Sequence, residues 1–230
     1  MASPPAPRIE ERWVCIATEK QVALAAVVAS YFQEEGAYLA VFEFPPIDVP
    51  SSSVNEAGTD GYLARLIGDR AAHSIANVLA GIQPQWILLL GMTETEQSYF
   101  RARLPAGKLI EIDSIADLPR QLPFAQPDSG SIACKPSQII EGFLLAKFSR
   151  KRLIIDESAP DLPAKHLHGG GGVVVIENDG GLPEIGAVNF AFAINANVIL
   201  TPSFSRQELQ SLPRQLHAWS NDRSSQAWPA

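Results

Sequence analysis

The chain has 230 residues, 46% of them hydrophobic and 19% charged, with a formal net charge of −7. That length and apolar content suit a packed core and exclude a disordered chain. Acids outnumber bases, which argues against nucleic-acid binding by counterion release, so no nucleic-acid partner is expected.

Residues 1–10 are Pro-rich and read as a flexible arm, without the apolar stretch of a secretion signal. The first apolar run, Trp13 to Ala17, reads as a strand. A helix from about Lys20 to Glu35 follows, closed by Gly36. Tyr38 to Phe44 reads as the second strand, stopped by Pro45 and Pro46. A loop to about Gly61 is long enough for a lid or a recognition loop. A helix over Tyr62 to Ala80 carries Leu66, Ala71, Ile75 and Leu79 at helical spacing. Trp86 to Leu90 is an unbroken apolar strand, of the kind covered on both faces. A helix begins near Glu94, and Leu109 to Ile112 is the fourth strand.

The stretch 115–131, rich in Pro and turn residues, is a candidate lobe boundary. A helix from Pro136 to Phe148 leads to a strand over Leu153 to Ile155. The connection to the next strand, Val173 to Ile176, lacks helical signals and is not expected to be an ordinary crossover. A helix over Pro183 to Asn195, a strand over Val198 to Leu200 and a helix over Arg206 to Trp219 complete the pattern. Gln138 to Glu157 aligns without gaps to Glu184 to Ser203, at core positions that any helix–strand unit would share. The expected fold is α/β and Rossmann-like: a mostly parallel sheet of about seven strands with helices on both faces. Residues 11–219 would form a single domain, and the polar stretch 220–230 a tail or linker.

In open parallel sheets, ligands bind at the carboxyl ends of the strands. Thr18 with Gln21, and Thr93 with Glu96, have capping-box spacing. Glu177, Asn178, Asp179, Gly180 and Gly181 follow the sixth strand, where glycines let backbone N–H groups approach an anion at a helix start. The acids around them favour a hydroxyl, a cation or a polar metabolite over a phosphate. These residues, with Thr18 and the mid-helix Asn189, are the candidate ligand-binding set. Cys134, ahead of Lys135 and a helix start, has the setting of a thiol with a lowered pKa, for which His168 would be the base. His166 and His168 share a face of an extended segment and, with Asp156, are candidate metal ligands. The run Lys147, Arg150, Lys151 and Arg152 complements a helix carboxyl end.

The leading expectation is a binding or recognition domain for a small, polar, nucleotide-derived molecule, acting as a module of a larger protein or with a partner protein. The alternatives are a hydrolase using Cys134 and His168 or a His/Asp metal site, and a structural or oligomerising domain. No cofactor is implied by any motif, and whether the chain is an enzyme is left open. Exposed sheet edges would allow a homodimer. Two cysteines and no apolar run of spanning length give a cytoplasmic protein with no membrane partner as the default.

Overall fold

The computed structural model describes residues 13–33, 39–47, 59–118, 122, 130–162, 166–167, 172–201 and 205; for 59–63 and 166–167 it describes the backbone alone. The arm, the tail, the helix expected over 206–219, His168 and most of the loop before Gly61 lie outside those residues.

The first strand falls where expected, whereas the first helix ends at Ser30, short of the expected Glu35. Strand β1 is Trp13–Ala17, and helix α1, Val22–Ser30, follows a 3-10 turn at Glu19–Gln21. Strand β2 is Leu39–Glu43, helix α2 is Thr59–Ile82 and strand β3 is Trp86–Leu90. Helix α3, Glu94–Arg101, leads to strand β4, Leu109–Ile112. These four strands form one parallel sheet in the order β2-β1-β3-β4. Its burial explains the unbroken apolar runs, because helices cover both faces. Trp13, Cys15 and Ala17 of β1 pack on the α1 side, and Val14 and Ile16 pack towards α2 and α3. Helix α2 is one-sided: Ala72, Ile75 and Leu79 are buried, whereas Ile67 and Val78 stand in solvent.

The second half departs from a single seven-stranded sheet. Strand β5, Ser131–Cys134, lies where the sequence reads as a loop, so Cys134 is a strand residue. Helix α4 is Ile139–Phe148 and strand β6 is Arg152–Ile155. Strand β7, His166–Leu167, occupies the irregular connection. Strand β8 is Val173–Glu177, helix α5 is Leu182–Ala193 and strand β9 is Asn197–Thr201. The described strands thus number nine, in three sheets: the four-stranded sheet, the parallel pair β5-β6, and β7-β9-β8, in which β7 is antiparallel.

Beside β3-α3-β4, whose helix lies on the other face of the sheet, three β-α-β units recur: β1-α1-β2, β5-α4-β6 and β8-α5-β9. The alignment of Gln138 to Glu157 with Glu184 to Ser203 covers the helix and second strand of the latter two. Helices α1, α4 and α5 pack against one another, and one apolar core runs from Trp13 to Leu200 through all three units. Each of these helices is apolar around most of its circumference, the composition of a helix enclosed by other elements. Helix α5 also lies along β2, which is an edge strand of the four-stranded sheet. Among the described residues no helix is long and apolar enough to cross a membrane.

Candidate functional site

The parallel register brings Ala17, Glu43, Leu90 and Ile112 to one rim of the four-stranded sheet. From β1 the chain crosses to β2 on one side; from β3 it crosses to β4 on the other. The connections diverge at β1 and β3, the point where open sheets leave a crevice. Thr18 is buried there, but its side chain makes no cap hydrogen bond, so the capping box expected with Gln21 does not form. Gln21 instead reaches across to β3, where its Nε2 donates to the Gly91 carbonyl at 3.1 Å. Gly91 adopts φ +53°, and a Cβ at that position would fall 2.4 Å from the Gln21 side chain. The conformation favours glycine, and a Cβ there would push the end of the Gln21 side chain aside. The Gly91 N–H donates to Ile112 at 2.8 Å, which ties the turn to β4.

The rim around this link is polar and exposed. Glu19, Glu43, Glu94 and Asp113 face solvent with Lys20, Thr93 and Ser114. At the start of α3 the expected capping box is present: Glu96 N–H donates to Thr93 Oγ1 at 3.3 Å, and Thr93 N–H donates to Glu96 at 2.8 Å. Glu96 also accepts from Ile47 N–H at 3.3 Å. At this helix start the Thr93 hydroxyl thereby takes the Glu96 N–H, and the Glu96 carboxylate takes the N–H groups of Thr93 and Ile47.

The same holds for the glycine loop after β8. Asp179 N–H and Gly181 N–H donate to the two oxygens of Glu184, at 3.3 and 3.0 Å. Glu184 is buried, so the helix start holds an internal anion where an external polar ligand was expected. Asn178 N–H donates to Thr201, and its side chain donates to Glu141 at 2.8 Å. Gly180 is exposed at φ +80°, a turn conformation that favours glycine, and Glu177 is half-buried.

Cys134 is buried at the end of β5 against Gly142, where a Cβ would meet Sγ at 2.5 Å. Burial, and then the Glu141 charge, push its thiol up to about 11. That burial reverses the expected lowering, and Lys135 pairs instead with Asp161 at 2.6 Å. Asp156 lies beside Cys134 through the backbone, its N–H donating to the Cys134 carbonyl at 2.9 Å. Its carboxylate faces away, accepting from Ser158 N–H and Oγ at 2.9 and 2.7 Å, which hold it below the usual range. Glu141 is the residue the sequence reading missed. It acts on Cys134 and binds Asn178, bringing the ends of β5 and β8 together. Its position in the first turn of α4 matches that of Glu184 in α5, which is the signal that pointed to it.

Asn189 does not belong with the strand ends. It is fully buried on α5 and donates at 3.2 Å to the carbonyl of Leu39, the first residue of β2 and so at the opposite end of that strand. Among the described residues no cluster of three His, Cys, Asp or Glu could hold a metal; the side chains of His166 and His168 lie outside them.

Fold and rim together define a mixed α/β protein with a four-stranded parallel sheet. No protein-family model, no curated protein and no solved structure matches the chain.

Proposed function

We propose that this chain is a binding domain for a small polar molecule held at the carboxyl ends of β1 and β3. The observation that carries the reading is the divergence of the crossovers at that point, beneath an exposed polar rim. The order β2-β1-β3-β4 also begins the doubly wound order of flavodoxin-like sheets, which supports the Rossmann-like reading. The rim sets Glu19, Glu43, Glu94 and Asp113 against Lys20, so a phosphate would meet repulsion. A neutral or cationic, hydroxyl-rich molecule such as a nucleoside fits this chemistry. The glycine loop after β8 is the weaker location, since Glu184 already occupies its N–H groups. The hydrolase alternative loses support from a buried thiol with a raised pKa.

A thermal-shift panel of nucleosides, their phosphates, polyols and amines tests the proposal. A ligand at 100 times its Kd adds about 2.7 kcal/mol to stability, a shift of several degrees. Unphosphorylated members should raise the melting temperature more than their phosphates, and Gly91→Ala should remove the shift by displacing Gln21. A flat response across the panel would sink the reading.

A further inference from the structure

Lys147 is a lysine with no exposed surface, in the last turn of α4. Its Nζ donates to the carbonyls of Ala29, at 3.1 Å, and of Phe32, both at the carboxyl end of α1. The same Nζ lies 4.9 Å from the centroid of the Phe192 ring, in the last turn of α5. Three helices thus bring their carboxyl ends to one ammonium. The end of α1 supplies the two accepting carbonyls and the negative pole of its helix, and the ring adds a cation–π contact.

The acids are at the other end. Glu141 and Glu184 are the only other ionisable residues of the three helices, and both are in first turns. Six residues of helical rise, about 9 Å, separate Glu141 from Lys147. Of the elements packed on these helices, β6 presents Arg152, 5.9 Å over the Tyr31 ring. The turn Ile115–Asp117 presents Asp117, bonded to Ser114. Strands β2 and β8 contribute Glu43 and Glu177, and β1 and β5 contribute Cys15 and Cys134. Among the described residues no ion pair joins any of these to Lys147, and burial alone pushes its ammonium down to about 7.

We propose that Lys147 is a proton-operated tie at the junction of the three helices: the neutral amine fastens the end of α1 to α4 and α5, and protonation, which puts a charge in a buried site, loosens it. The amine keeps two N–H groups for the two carbonyls, whereas the ammonium buries a charge that no carboxylate pairs among the described residues. In the unfolded chain the side chain holds its proton to about 10.5. Between about 7 and 10.5 the unfolded state therefore binds more protons than the native state. The contribution of Lys147 to stability is lowest below about 7 and rises with pH through that window. The tie thus tightens as pH rises through that window, together with the molecule as a whole.

An NMR titration of the full chain, with 13C-labelled lysine and 15N backbone, tests this. One lysine Cε should titrate near pH 7, and the amides of Tyr31 and Phe32 should move with the same midpoint. A Lys147 Cε midpoint near 10.5, or still amides through the transition, overturns the proposal. In Lys147→Met and Lys147→Arg the amide movement between pH 6 and 9 should vanish; its persistence in a folded variant overturns it equally. Should neither variant fold, the titration of the unaltered chain decides alone.

Discussion

Asn189 and Lys147 show how a single polar side chain can be visible in a sequence while its job is not. Asn189 stands out in the apolar run of α5, and its burial follows from α5 lying along β2. Its Nδ2 serves Leu39, while its Oδ1 is buried and has no hydrogen-bond partner among the described residues. Asn189→Ala removes that orphan acceptor but leaves the Leu39 carbonyl unserved. The expected net loss, by urea unfolding, is about 1–3 kcal/mol, the cost of one uncompensated buried polar group. Lys147 reads from sequence as complementing the end of its own helix. It does complement a helix end, but that of α1, more than a hundred positions earlier. Such a partner is invisible to any argument from local spacing.

At the level of elements, two capping boxes with the same spacing met different fates. Thr93 and Glu96 close theirs locally. Gln21 is drawn instead to Gly91, 70 residues away, and the first turn becomes a 3-10 turn. Strands β1, β3 and β4 were legible to the residue, β1 and β3 because parallel strands covered on both faces are continuous apolar runs. Strand β5 was not, since Ser131–Cys134 is short and follows a Pro- and Ser-rich stretch. The start of α5 gives an element-scale prediction. Glu184→Ala frees the N–H groups of Asp179 and Gly181 and should destabilise the chain by about 1–2 kcal/mol, as loss of a helix cap does. The emptied helix start would then take an external anion. Inorganic phosphate should raise the melting temperature of Glu184→Ala more than that of the unaltered chain.

The whole molecule differs from the sequence expectation in how its strands are shared out. Alternation of strands and helices announces parallel pairing but not which strands share a sheet, because that depends on contacts between distant segments. Here the three β-α-β units keep separate sheets and pool their helices. The candidate site was legible as a general location, the carboxyl ends of strands. The link at its centre was not, since the Gln21–Gly91 contact exists only once β1 and β3 are neighbours.

The bond from Asn189 to Leu39 joins residues 150 positions apart. During synthesis, β2 therefore leaves the ribosome long before the helix that shields its edge. A growing chain ending before Leu182 carries a bare strand edge, the surface on which misassembly starts. Arrested nascent chains with residues to 181 outside the ribosome should be cut by protease across 39–43. Those exposing residues through 201 should resist, and protection arriving earlier would show that the edge is sealed without α5.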